Sequence, residues 1–399
     1  MGRPKQRANG MRRVDLSVVE LASSETARGI NRDIVLQHIR ARQPISRADL
    51  ARLSGLQRST VSQIIEQLIK ERWIKEGAMA HLPRGRRPTL LHMNDDLVVL
   101  AVDIHPRQAT VAMIDLNGHL LSRSLMPIGS NPTKATESII ECMKRIRDNH
   151  PKKSVEGIGI SVPGRVDTET QRLIFAPNLH WPEFDIKHTI ERGMGLPAEM
   201  ENAATACLMS ELWFGRMDGV RNAVLITVSE GIGAGVMTNG HLVSGQHGMA
   251  GEFGHIPLDP AGPLCGCKAK GCWEMYASCN AALRYYSELE PKAKRITYHE
   301  LLNLAEEGNA RAVEALKMQA RYIGKGLRMV TAALSPEVIL VAGDVTSAWH
   351  RFASIIEAEL AASTLAGKPP RLAPTHEGDV ARLRGAAALL LQRHSIHSS

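Results

Sequence analysis

The sequence predicts an N-terminal winged helix-turn-helix joined to a two-lobed α/β body. Three observations predict it. Basic charge is confined to the first quarter of the chain. Apolar positions between Asn31 and Ile69 repeat with helical spacing on both sides of a short turn. From Leu97 onward, two sets of strands and helices follow one another. The length of 399 residues exceeds one ordinary domain, and 44% hydrophobic with 23% charged residues is a globular balance with ample material for a core. No uncharged stretch approaches the roughly 18 to 20 apolar residues of a membrane span, and no apolar block follows the basic start Met1–Arg13. Neither membrane insertion nor secretion is expected, and a cytoplasmic location is the default.

Charge sets the domain boundaries. Residues 1–92 hold 18 Lys and Arg against 8 Asp and Glu, a balance of +10, whereas the rest hold 31 against 33. A compact basic segment on a near-neutral body is the footprint of a nucleic-acid module, although a basic tail would carry the same charge. Residues 1–29 show little apolar periodicity and are expected to form a mobile basic arm. Residues 30–93 form the winged helix-turn-helix domain, and 94–399 the body.

Within 30–93, Ile34, Val35, His38 and Ile39 mark one face of a first helix ending near Arg42. Ser46-Arg-Ala-Asp49 is a capping-box pattern opening a second helix with Leu50, Ala51 and Leu53 inward, stopped at Ser54-Gly55. A third helix begins near Gln57 and carries the stripe Val61, Ile64, Ile65, Leu68, Ile69. Its outward face presents Gln57, Arg58, Ser59, Thr60, Ser62 and Gln63. These polar side chains can bond base edges or phosphates from the first turns of a helix in the major groove. Trp73-Ile74 and Leu90–Met93 predict two strands around His81–Pro88, a wing whose Arg84, Arg86 and Arg87 suit phosphate or minor-groove contact. A protein-binding three-helix module is the alternative.

In the body, Val98–Ile104 and Ala109–Asp115 predict paired strands, and Asn117-Gly118 a hairpin into a strand at Leu120–Pro127. A helix over Thr136–Asn149 and a strand over Val155–Val162 complete the first set. Strands at Ala223–Val228 and Val338–Val341 belong to a second set, so a cleft between lobes is expected. Cys142, Cys207 and Cys279 stand alone and are expected to be buried thiols. Cys265, Cys267 and Cys272 fall within eight residues and, with His255, supply three sulfurs and one nitrogen. Four such ligands fit tetrahedral, structural Zn2+ with no open position, one ion per chain. Cys265-Gly-Cys267 cannot come from a regular helix, so a loop bent at Gly266 and Gly271 is expected.

The chain resembles the ROK family (repressor, open reading frame, kinase), and within it the repressors with an N-terminal winged helix. The resemblance rests on G-I-S-V-P-G-R-V-D (159–167), A-P-N-L-H-W (176–181), G-I-G-A-G (231–235), A-G-E-F-G-H (250–255) and C-G-C-K-A-K-G-C-W-E (265–274). It implies the two-lobed actin/hexokinase-like fold of the ROK sugar kinases and the same four zinc ligands. It also implies that Asn178, Asn202, Glu252, His255 and Glu274 hold a sugar, His255 using one nitrogen for metal and the other for a hydroxyl.

Three departures from the kinase pattern argue against catalysis. The motif E-N-D-x-N, whose Asp is the general base, here runs Glu201-Asn202-Ala203-Ala204-Thr205. Loss of such a base costs about 10²–10⁴ in rate. The phosphate turn D-x-G-G-T is Asp103-Ile104-His105-Pro106-Arg107, where Pro106 lacks an N–H and His105 adds bulk. The second turn, G-T-G-x-G, is Ser229-Glu230-Gly231-Ile232-Gly233, with a carboxylate where a triphosphate would sit. The expectation is a transcription regulator, a repressor, that binds operator DNA as a dimer or tetramer and answers to a sugar or sugar derivative. A phosphorylated sugar stays open, because Ala203 makes room for an anion. A phosphotransfer-system protein is a further candidate partner. The alternative is a sugar kinase with an accessory DNA-binding domain.

Overall fold

The computed structural model describes residues 24–79, 89–167, 169–176, 179, 181, 184–215, 217, 219–362, 367–375 and 378–397. These fall into two compact units, one up to Met93 together with the end of the chain from His394, and one from Asn94 to Arg393.

In the first unit α1 (Ser24–Arg42) leads to a short strand β1 (Ile45–Ser46), then α2 (Arg47–Ser54) and α3 (Arg58–Lys70). The arm expected over 1–29 is therefore corrected at its end. Glu25, Ala27 and Arg28 have high helix propensity and extend the helix back to Ser24. Ser46 caps α2, its Oγ accepting from the Asp49 N–H, and Gly55 closes α2 with φ 71°. Leu50 is fully buried, but Leu53, expected inward, is 37% exposed. Over so short a helix only one position points squarely at the α1–α3 contact. Val61, Ile64, Ile65 and Leu68 are buried on α3 as their spacing requires. β2 (Ile74–Met79) and β3 (Thr89–Met93) pair antiparallel, with β1 on the other edge of β3. Arg32 ties this unit together, paired with Glu71 at 2.5 Å and stacked over the buried Trp73.

The second unit contains two five-stranded sheets. The first lobe holds β4 (Leu97–Ile104), β5 (Gln108–Asp115), β6 (Leu120–Pro127), α4 (Pro132–Asp148), β7 (Ser154–Val162), the small pair β8 (Arg165–Val166) and β9 (Leu173–Phe175), α5 (Ile186–Met194) and β10 (Ala198–Asn202). Then come α6 (Ala203–Phe214), β11 (Ala223–Val228), β12 (Ile232–Thr238), β13 (His241–Leu242), α7 (Glu274–Ala277), α8 (Cys279–Leu289), α9 (Tyr298–Glu306), α10 (Ala310–Leu334), β14 (Val338–Ala342), α11 (Trp349–Ala361), β15 (Arg371–Pro374) and α12 (Gly378–His397).

The two sheets have one topology. In the first, β4–β5–β6 is an antiparallel meander, β7 lies parallel beside β4, and β10 parallel beside β7. In the second, β11–β12–β13, β14 and β15 repeat those places. The central strands β4, β11 and β14 are buried along their whole length, which explains their unbroken apolar runs. Each lobe has its own core. Ile139, Met143 and Ile190 cover the first sheet, whereas Trp273, Leu316, Ile323 and Leu327 belong to the core of the second. Helices α6 and α12 cross closely, Gly385 against the Ala206 carbonyl, and Ala386 lies against Gly159 of β7. Cys142, Cys207 and Cys279 are buried.

Candidate functional site

The cleft is built from corresponding pieces of the two sheets. The β4–β5 hairpin brings His105 and Pro106 to it, and the β11–β12 hairpin brings Ser229, Glu230 and Gly231. They line a cavity of about 130 Å³ together with Asn202, Ala203, Glu252, His255 and Glu274. Gly235 allows β12 to lie directly against the start of α6, because a Cβ there would meet the Ala204 carbonyl oxygen at 2.8 Å. The glycine string of 231–235 thus serves helix packing as well as a turn.

Beside the cavity, His255, Cys265, Cys267 and Cys272 converge, with one ligand atom from each lying within 4.8 Å of the others. His255 Nδ1 is 3.5 Å from Cys265 Sγ, and Cys267 Sγ is 3.6 Å from Cys272 Sγ. The loop bends at Lys268 (φ 73°) and Gly271 (φ 66°). The first bend thus falls at Lys268 rather than at Gly266, where it was expected. At Gly271 the reason is close approach, since a Cβ would overlap the Asp259 carbonyl. Trp273 anchors the loop to the second lobe, its Nε1 donating to the Tyr322 carbonyl at 2.8 Å. Burial pushes the Cys265 thiol up to about 12 and raises Cys272 as well. Such thiols ionise when a cation shares their pocket, so the four residues could hold a metal ion.

His255 turns its other nitrogen toward the cleft, where Nε2 is 3.7 Å from Glu252. Burial raises the Glu252 carboxyl, opposed by His255 and Arg165. Glu274 Oε2 accepts from the Ile232 N–H at 3.0 Å, pinning the metal loop to β12. Asn202 is more committed than expected. Its Oδ1 caps α6 by accepting from the Thr205 N–H, and its Nδ2 donates to Glu201 and the Thr205 hydroxyl. Both amide hydrogens are thereby used, leaving the carbonyl oxygen for further bonds. Glu201 is drawn inward, and no cation pairs with it among the described residues. Burial pushes its carboxyl up to about 7 against the two Asn202 bonds it accepts. Asn178 lies outside the described residues.

The opposite end of the cavity contains a group that motif reading missed. Arg382 of α12 reaches His105, its Nη1 lying 3.2 Å from Nδ1, and His105 Nε2 is 2.7 Å from Asp103 Oδ2. Ser161 Oγ donates to the other Asp103 oxygen at 3.0 Å. Burial alone would raise Asp103, but the His105 bond and the Arg382 charge outweigh it and hold the carboxyl below its ordinary value. The Arg382 guanidinium is likewise kept charged against burial by Asp103, with Glu230 and Asp344 adding to the field. A signal was present, since Arg382 and Arg384 interrupt a run of small and apolar residues, Ala381 to Leu391, that otherwise reads as a buried helix.

In the first unit, Gln57 is the N-cap of α3, and Arg58, Ser59, Thr60, Ser62 and Gln63 occupy its first two turns. Gln57, Arg58, Ser59 and Gln63 are exposed, with Thr60 and Ser62 half-buried. The helix turns its buried stripe away from them. Arg84, Arg86 and Arg87 lie outside the described residues.

Comparison with known proteins agrees with both units. The profile of the ROK family matches residues 99–393, and that of winged helix-turn-helix DNA-binding domains matches 33–75. The xylose repressor of Bacillus subtilis (strain 168) is 29% identical over 94% of this chain and 98% of its own. A ROK family transcriptional regulator, a homolog of the E. coli MLC protein, superposes with a TM-score of 0.79 at 26% identity, covering 92% of this chain and 97% of that one. A ROK family glucokinase from Streptomyces griseus, solved with glucose and AMPPNP, gives a TM-score of 0.68 at 28% identity over 74% of this chain and 99% of its own. With the family profile spanning the second unit and a repressor aligned along nearly its whole length, the chain belongs to the ROK family.

Proposed function

We propose that this chain is a DNA-binding transcriptional repressor whose ROK unit senses a sugar or sugar derivative without phosphorylating it. One observation carries the reading. The groups that address ground-state hydroxyls (Asn202, Glu252, His255, Glu274) line the cavity, while its phosphate-turn end holds Pro106, Glu230 and the Asp103–His105–Arg382 cluster. Ala203 stands where the general base would be. Binding and chemistry separate because the missing groups act on the proton and the transferring phosphoryl.

The resident metal is Zn2+. A tetrahedron with Zn–S of about 2.3 Å and Zn–N of about 2.0 Å has edges of about 3.5–3.8 Å. The 3.5 Å and 3.6 Å separations found here fit those edges. Zinc would hold the three sulfurs as thiolates and stiffen the loop. His255 Nε2 and Glu252 would then meet the sugar in a preset geometry. The family resemblance implies that Asn178 also contacts the sugar. The exposed face of α3 reads the operator in the major groove, Arg84, Arg86 and Arg87 contact phosphates beside it, and a homodimer or tetramer presents paired modules. Sugar binding favours one arrangement of the lobes and shifts the population that holds DNA.

The test is a thermal-shift screen of sugars and their 6-phosphates, each hit assayed for operator release and for ATP-dependent phosphorylation. A hit that changes operator affinity without turnover supports the reading, and steady formation of sugar phosphate overturns it. Arg58→Ala should lower specific affinity more than non-specific affinity. Neutralising the three wing arginines should lower both and flatten the salt dependence.

A further inference from the structure

The helix that carries Arg382 packs on both lobes. At its start, Ala381 shares a core with Cys207, Leu225 and Leu340 of the second lobe. Further along, Ala386 closes on Gly159 of β7, and a Cβ on Gly157 of the same strand would meet a Leu390 methyl carbon at 2.8 Å. From this crossing Arg382 reaches the first lobe. Its Nη1 lies 3.2 Å and 3.1 Å from the two ring nitrogens of His105, which in turn holds the buried Asp103. A guanidinium only donates and a carboxylate only accepts, so a neutral imidazole between them accepts at Nδ1 and donates from Nε2. Arg384 ties the same helix to the same lobe, donating to the Gly118 carbonyl at 2.7 Å, but only Arg382 of the two lines the cavity.

The second lobe brings charge to the same place. Glu230 follows β11, and Asp344 follows β14 in a turn seated on the end of β11, where a Cβ on Gly343 would overlap the Val228 carbonyl oxygen. Burial works against the Arg382 charge, and Asp103, Glu230 and Asp344 sustain it. Glu230 and Asp344 are exposed, so solvent screens their share, whereas Asp103 is shielded. In the kinase pattern the two phosphate turns face an anion that lies between them. Here that end holds carboxylates from both lobes, and the group they share is a cation. Without it, Asp103 would be stranded and like charges would face one another across the cleft.

We propose that Arg382 is a positioning residue that stands in for a nucleotide, joining the phosphate-turn ends of the two lobes so that the sugar-competent arrangement is populated without a second ligand. This rests on the sugar-sensing reading above. Apparent affinity scales with the fraction of molecules in the competent arrangement. Loss of the link should therefore slow association and leave dissociation unchanged, whereas loss of a direct sugar contact would speed dissociation. The experiment is calorimetry and stopped-flow binding on the full-length, metal-loaded chain with D-xylose, D-glucose, D-mannose and N-acetyl-D-glucosamine, each with and without Mg2+-AMPPNP. Wild type is compared with Arg382→Met, Arg382→Lys and Arg384→Met. Wild type should bind at least one of these sugars, with an affinity that the nucleotide moves by less than about twofold. Arg382→Met should weaken that binding by about 10-fold or more through slower association, and Arg382→Lys, which keeps the charge and loses the fork, by less. Arg384→Met, which cuts a link of the same helix outside the cavity, should stay within about twofold of wild type. Melting curves verify folding, and if Arg382→Met does not fold, the double variant Asp103→Asn/Arg382→Met, which strands no carboxylate, takes its place. Unchanged affinity in the folded Arg382 variant, an equal loss in Arg384→Met, faster dissociation, or sugar binding by wild type only with nucleotide each overturns the role of Arg382 and leaves the sensor reading standing. Binding of none of the four sugars under either condition counts against the sensor reading itself, and the role of Arg382 falls with it.

Discussion

The two ends of the cleft differ in how their polar groups are committed. At the metal end, His255 and Glu252 line the cavity, and a loop tied down by Trp273 and Glu274 holds His255 in place. At the phosphate-turn end, Asp103, His105, Ser161 and Arg382 satisfy one another. The hairpins involved hold the same place in two sheets of the same topology, so the fold did not force this difference. What separates them is local chemistry. One end leaves hydrogen-bonding capacity for a ligand, and the other spends it internally, where a phosphate would find carboxylates and a proline.

The largest effect is expected at the metal end. Cys272→Ser should remove the metal and lower the stability of the second unit by about 5 kcal/mol or more, read as a fall in melting temperature together with loss of zinc by elemental analysis. An unchanged melting temperature and sugar response would erase the supposed contrast between a braced end and a closed one. Next is Arg382→Ala, which strands the buried Asp103 carboxylate and should cost about 3–5 kcal/mol. Adding Asp103→Asn should recover part of that, and a variant as stable as wild type would mean that the cluster is not what closes this end.

Glu201, on β10 next to the cavity residue Asn202, gives a pH test. Its folded value of about 7 lies above the ordinary 4.5, so the folded protein holds a proton that the unfolded chain has released. Stability is therefore lost as pH rises from about 4.5 through about 7, by at most about 3 kcal/mol. Glu201→Gln should be more stable than wild type at pH 8 and little different at pH 4, measured by urea denaturation. A difference that is the same at both pH values would remove the titration from the account. The smallest effect is the most discriminating. Ala203→Asp should leave ATP turnover undetectable, because a restored base still faces unsuited phosphate turns. Measurable sugar phosphate from that variant would show that base loss alone separates the two ends.

Much of this was legible in the sequence because the determinants are local. The Ser46–Asp49 cap, the Gly55 stop and the α3 stripe each depend on neighbours within one or two turns. The four candidate metal ligands lie within eighteen residues, and their soft-ligand chemistry singles them out without a fold. Leu53 and the start of α1 were misplaced because each depends on how far packing or propensity extends beyond a short pattern. Asn202 was assigned to ligand alone, since nothing in its motif says that its amide also caps α6.

The sequence by itself determined the two-part organisation, the third helix with its polar outer face, the proximity of three cysteines in one loop and the absence of a carboxylate at Ala203, because residue type and short-range spacing decide all four. Only the tertiary structure decided the partnership of Asp103 and Arg382, which are separated by most of the second unit and meet where α12 crosses beside β7 and α6. It alone likewise left the Arg165 Nε buried without a hydrogen-bond partner. The physical reason is common to both. A charge is recognisable from its residue type, but whether it is paired depends on which distant groups the folded chain brings within hydrogen-bonding reach.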